Sequence, residues 1–142
     1  MRTLLAALIL GALAGACVPA ASAAPSSKSS WAGDANKVCA VWLAKAKQEF
    51  GSPVTPAQLF TFAKKAKALE TSELAALQKI PGRSASGTHA LQAVQTDIAE
   101  VGSAITAYKA GNAAKFVTVL KRYINDNRPK AAFTAAGASG CG

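Results

Sequence analysis

The clearest regularity along the chain is apolar side chains recurring at alternating three- and four-residue spacing, the repeat of one face of an α-helix. Leu91, Val94, Ile98, Val101, Ile105 and Tyr108 hold this spacing for nearly three heptads and predict a helix over 88–110, ended by Gly111. Val38, Val41, Trp42 and Ala46 predict an earlier helix over 34–50, with Asp34 at its positive end, Gly51 as the residue just past it and Pro53 preventing continuation. Between them, Thr55-Pro56-Ala57-Gln58 combines an N-cap threonine, a proline in the first turn and a glutamine placed for a capping box. Leu59, Phe62, Ala63, Ala66 and Leu69 follow as its apolar face, and Leu74 and Leu77 carry it to about residue 79, before Ile80-Pro81-Gly82. Thr71-Ser72-Glu73 reads as a restart signal, so a kink is expected near Thr71.

The polar stretch 83–88 then reads as a linker. Asn112 is a good N-cap for a last helix whose face carries Phe116, Leu120, Tyr123, Ile124 and Asn127. Pro129 must kink that helix or start a short final one over 130–136, with Gly137 beyond it. No segment alternates apolar and polar residues with the period of two that a half-buried strand requires. Four amphipathic helices with short connections predict an all-α fold, an antiparallel up-down four-helix bundle.

The first 23 residues do not belong to that bundle. Met1 and Arg2 form a positive start, 3–13 is apolar but too short to span a bilayer, and Ala21-Ser22-Ala23 has the small residues that signal peptidase accepts. The expected organisation is a signal peptide over 1–23, a flexible polar leader over 24–33 and a helical domain over 34–142. An alternative uses Leu13-Ala14-Gly15-Ala16-Cys17 as a degenerate lipobox, with Cys17 lipidated and the protein anchored by lipid. No later run approaches the roughly 18 apolar residues of a membrane span.

The order of these elements resembles a group of small exported actinobacterial proteins of little assigned function. The resemblance rests on Asn36-Lys37-Val38-Cys39, on the segment 77–81, on Ala110-Gly111-Asn112 and on the terminal segment 137–141. It covers nearly all of the chain after residue 23, although Pro81-Gly82 stands where the group often has two prolines. It implies a helical bundle and a disulfide, and brings no catalytic residue.

Composition changes the picture in two ways. Much of the 51% hydrophobic content is alanine, so the helices can approach closely but bury little large apolar surface, and a covalent staple would matter. In an oxidising compartment Cys39 and Cys141 are expected to pair, because an up-down bundle brings the start of its first helix and its C-terminus to the same end. One histidine and two remaining cysteines are too few for a zinc site. The chain is also basic, at +9, and stays at +8 without residues 1–23, where Arg2 is the single charged side chain. Its densest basic region is Lys64, Lys65 and Lys67, with Lys45 and Lys47 one helix away.

Such a patch suits anionic envelope polymers or lipid head groups. Nucleic acid is disfavoured, because export separates the chain from it and no aromatic side chains are interleaved as stacking platforms. Ser84 or Ser86 with His89 and Asp97 could be read as a nucleophilic constellation, but all lie in one short stretch without an oxyanion-hole motif. Glu70/Glu73 and Asp97/Glu100, each three residues apart, read as solvated partners of nearby lysines. The expectation is a secreted, non-enzymatic envelope protein with a binding or structural role and no cofactor. The alternatives are a membrane-active cationic helix at 59–69, or a haem-type ligand held by His89, Tyr108 or Tyr123.

Overall fold

The computed structural model describes residues 30–53 and 55–141. Residues 1–29, which hold the expected signal peptide, Cys17 and most of the expected leader, lie outside the described residues. Within them the chain is all-α, with helices α1 (Trp31–Glu49), α2 (Pro56–Gln78), α3 (Ala85–Lys109), α4 (Ala113–Ile124) and a short α5 (Arg128–Ala135), and it holds no strand. α3 is the central element: α2, α4 and α5 all pack on it, while α1 packs on α2.

Side-chain caps fix most of the helix starts. Thr55 and Gln58 form the full capping box of α2, and the Asn112 side chain accepts from the Lys115 backbone N–H at 2.9 Å. Two starts lie earlier than the apolar spacing indicates, because serines cap them. Ser30 accepts from Gly33 and Ser84 accepts from Gly87, each at 3.1 Å, so α1 and α3 begin three residues before Asp34 and Thr88. The signal at Thr71 does not break α2. The Thr71 and Ser72 hydroxyls instead donate back to the carbonyls of Lys67 and Ala68, and the helix continues. Gly111 and Gly137 adopt the left-handed conformation that closes a helix, whereas α1 ends at an extended Phe50 and Gly51 takes no positive φ.

The interior forms two apolar clusters along α3. One gathers Trp31, Cys39, Leu77, Leu91, Phe133 and Cys141, the other Ala63, Val101, Ala104, Phe116 and Leu120. Trp31, expected in the leader, is buried as the first residue of α1, stacked on Phe133 with centroids 6.4 Å apart. Its ring fits because Gly87 faces it: a Cβ there would stand 3.1 Å from the indole. Cys39 and Cys141 are joined in a disulfide with Cα atoms 5.1 Å apart, and the Gly140 N–H donates to Asn36 Oδ1 at 2.8 Å beside it. Asn36 and Cys39, one turn apart on α1, thus both hold the C-terminal segment.

Several positions expected inside differ, Asn127 among them, which is exposed. Val41 and Ile124 are 55% and 54% exposed, and Ile98 is half-buried. The buried line of α1 is Trp31, Ala35 and Cys39, which joins the first cluster with Phe133 and Cys141, while Val41 and Leu43 in its second half are exposed. At the end of α4, Tyr123 turns inward and Ile124 outward. On α3 the inward line between Val94 and Val101 is occupied by Asp97 rather than by Ile98.

Candidate acidic cleft

Asp97 marks the seam between the two apolar clusters. Val94 on one side of it belongs to the first cluster and Val101 on the other to the second. On α2 the same level is occupied by Glu70 and Glu73, between Ala63 of the second cluster and Leu74 of the first. Glu100, one turn along α3, and Asp126, between α4 and α5, complete the group. Five of the seven acidic residues of a basic chain are thereby gathered at one level.

Two cationic side chains close the outer side. Arg128 Nη2 lies 3.0 Å from Glu100 Oε1 and 3.7 Å from Asp97 Oδ1, and its Nε donates to Asp126. Arg122 approaches Glu100 at 3.6 Å. Asp126 also accepts from the Arg128 backbone N–H at 2.9 Å, which starts α5 where the side chain of Asn127 makes no cap. On the inner side, Tyr123 donates its hydroxyl hydrogen to Glu70 Oε1 at 2.5 Å.

The inner carboxyls hold their protons unusually tightly. Burial raises Glu70 to about 6, against the Tyr123 hydrogen bond that lowers it. Burial, with the charge of Glu70 added, raises Glu73 to about 7. Asp97 is also raised to about 7, first by burial and then by Asp126, which accepts its proton in a hydrogen bond and repels its charge; Arg128 opposes this. Tyr123 is pushed upward by burial and by Glu70, so it remains a donor. Burial also works against ionised Asp126, but its hydrogen bonds from Arg128 outweigh that and leave it below the usual carboxylate value.

Beside these groups lies a cleft of about 430 Å³, into which Glu70, Glu73, Asp97, Asp126 and Tyr123 project together with Phe62, Val94 and Phe133. Two of its oxygens, Asp97 Oδ1 and Glu70 Oε2, are buried and accept no hydrogen bond. Oxygens of Asp97, Glu100 and Asp126 come within 4.8 Å of one another, the spacing of a cation site, but the Arg128 guanidinium already lies against all three.

The acidic pairs are therefore not the solvated lysine partners their spacing suggests. Asp97 and Glu100 pair with Arg122 and Arg128, Glu70 accepts from Tyr123, and none of the four is exposed. The available signal was the register of Asp97, three residues after Val94 and four before Val101 on the apolar stripe of α3. The basic residues behave oppositely: every described lysine and arginine is exposed, whereas Glu49 is the one exposed acidic residue among the described residues. Lys65 reaches the Glu49 carbonyl at the end of α1 at 3.4 Å, and Lys45 lies over the ring of Trp42 on α1. Lys64 sits over Phe60, and Lys67 lies beside Gly102 of α3. Lys47 is in the last turn of α1.

The residues of the other candidate chemistries are not brought together. Ser84 caps α3, His89 is exposed in its second turn, and Asp97 faces the acidic group. Tyr108 stacks on Phe60 at 4.3 Å between centroids, away from the Tyr123–Glu70 pair. No helix among the described residues is long and apolar enough to cross a membrane. The chain matches no protein-family model, no curated protein and no solved structure.

Proposed function

We propose that this chain is an exported, non-enzymatic protein of a bacterial envelope, an antiparallel up-down bundle whose basic exterior binds anionic polymer or lipid head groups. The observation that carries the reading is the segregation of charge. Withdrawing Glu70, Glu73, Asp97, Glu100 and Asp126 from the outer surface, where Arg122 and Arg128 pair with them, leaves most of the exposed lysines facing solvent with little local compensation. At a given net charge, a surface without interspersed acids attracts polyanions more strongly, because fewer nearby negative charges cancel its field. The Cys39–Cys141 disulfide is compatible with export to an oxidising compartment, and the packing of α1 on α2, α2 on α3 and α3 on α4 is compatible with helices of alternating direction.

The test is a titration of the oxidised protein against vesicles of phosphatidylglycerol and phosphatidylcholine. Binding should weaken steeply as salt rises from about 0.05 M to 0.5 M, because the Debye length falls below the spacing of exposed charges. Replacing Lys64, Lys65 and Lys67 together with glutamine should remove most of the binding and leave the melting temperature unchanged. A loss no larger than those three residues' share of the positive charge would refute a patch at Lys45, Lys47, Lys64, Lys65 and Lys67.

A further inference from the structure

We propose that the groove between α1 and α2 binds a free single-chain anionic lipid, a carboxylate carrying one acyl tail. The proposal goes beyond the envelope reading, which concerns charge on the outer surface, although Lys65 serves both. Its starting point is incomplete packing. Protein interiors are normally filled to the density of organic crystals. Yet two cavities, of about 370 and 160 Å³, run along this helix pair and meet at Phe50, which lines both. Ala57, Thr61 and Lys65 line the larger cavity, and Ala66, Leu69 and Glu73 the smaller. These residues follow one stripe of α2 over about 24 Å, at 1.5 Å per residue. Trp42 and Ala46 of α1 line the smaller cavity from the other side. Ala46 and Ala66 leave room there that larger side chains would fill.

The shape narrows the choice of occupant. α1 packs on α2, so the groove lies within a helix pair. A peptide helix, about 10 Å across, has no space between them. A flexible acyl chain is thin enough to follow the stripe. Phe50 and Phe62, with ring centroids 4.9 Å apart, stand where the two cavities join, and Trp42 and Leu69 continue the apolar lining. Glu70, Glu73 and Tyr123 stand at the far end of the smaller cavity, and Glu70 is already engaged by Tyr123. Their polar groups set where the tail stops.

Charge selects the head group. The larger cavity is the mouth, and Lys65 is on its wall. An ammonium group has three N–H donors. Lys65 points one toward the Glu49 carbonyl at 3.4 Å, and the others can serve a carboxylate. The first turn of α2, also on the mouth, carries no acidic side chain, so the positive end of that helix adds to the attraction. Lys45, over the ring of Trp42, places a second cation beside the groove. Glu49 is the one acidic residue at the mouth and opposes an anion there.

The experiment is calorimetric titration of the oxidised protein at pH 7 with sodium decanoate below its micelle concentration, with sodium octanoate and decyltrimethylammonium bromide as separate arms. Saturable one-to-one binding of decanoate is expected. Octanoate should bind about fifteenfold more weakly, since each buried CH₂ is worth about fourfold. The decyl cation should bind at least tenfold more weakly than decanoate. Lys65→Gln should weaken decanoate at least fivefold, and Glu49→Gln should tighten it. Ala46→Leu, which fills the groove, should weaken decanoate at least tenfold and leave salt-dependent vesicle binding in place. If Ala46→Leu loses cooperative melting, the exposed Lys65 and Glu49 variants still decide. Vesicle binding without decanoate binding would overturn the groove and spare the envelope reading, and the reverse result would do the opposite. Equal binding of the decyl cation, equal binding of octanoate, or no effect of a folded Ala46→Leu variant would each overturn the proposal.

Discussion

Replacing Glu73 with glutamine isolates what it costs to ionise a carboxyl in the seam between the two apolar clusters. Glu73 is half-buried, and its pKa rises from 4.5 to about 7 through burial and the charge of Glu70. A carboxyl whose folded pKa exceeds its unfolded value takes up protons on folding, so its contribution to stability falls as pH rises from the unfolded to the folded pKa. At about 1.4 kcal/mol per pKa unit, the folded state bears about 1 kcal/mol from this group at pH 5 and about 3 kcal/mol at pH 8. Glutamine matches the protonated side chain in size and polarity and cannot ionise. Glu73→Gln should therefore stabilise the protein by about 2 kcal/mol more at pH 8 than at pH 5. For a domain of this size that is a melting-temperature gain larger by about 8 °C. The assay is thermal unfolding followed by circular dichroism at 222 nm on oxidised protein at both pH values. Equal changes at the two pH values, or a loss at pH 8, would refute the reasoning.

Cys39→Ser opens a loop spanning a sequence separation of 102, for which chain entropy gives roughly 4–5 kcal/mol, and should lower the denaturant midpoint strongly. A protein isolated with two free thiols would contradict the staple. Val101→Ala, at a fully buried site, should destabilise by about 1–3 kcal/mol through lost burial and a cavity, whereas Val41→Ala, at 55% exposure, should stay within about 0.5 kcal/mol. Similar urea midpoints for these two variants would contradict the assigned faces. Trp31→Ala should cost roughly 3 kcal/mol or more, because the indole is buried against Phe133 and Gly87, and a neutral effect would return Trp31 to the leader.

The all-helical class, the capping box at Thr55 and the Cys39–Cys141 pairing were legible because each depends on local chemistry or on few alternatives, whereas the expected four helices are five, since the chain restarts as α5 at Arg128. Apolar spacing on α3 located its helix, but it assigned the inward position to Ile98 when Asp97 holds it. Periodicity scores a carboxylate as outward-facing, and a buried acid becomes intelligible when its neighbours in space are known. Those neighbours, Glu70, Tyr123, Asp126 and Arg128, come from α2, α4, the connection after it and α5. Val41 and Ile124 show the converse: the pattern marks them as apolar, and only the arrangement of helices shows that nothing covers them. Ser30 and Ser84 were readable as caps, yet each stands in a serine-rich stretch that resembles a linker.

Acids withdrawn from a basic surface keep their protons up to near neutral pH. The most direct measurement is an NMR titration of the side-chain carboxyl carbons in the oxidised protein from pH 3 to pH 9. Glu70 should titrate near pH 6, and Glu73 and Asp97 near pH 7, with the Tyr123 ring resonances moving as Glu70 ionises. Titration of Glu70, Glu73 and Asp97 all below pH 5 would mean that they are solvated, and would contradict both the cleft and the charge segregation built on it.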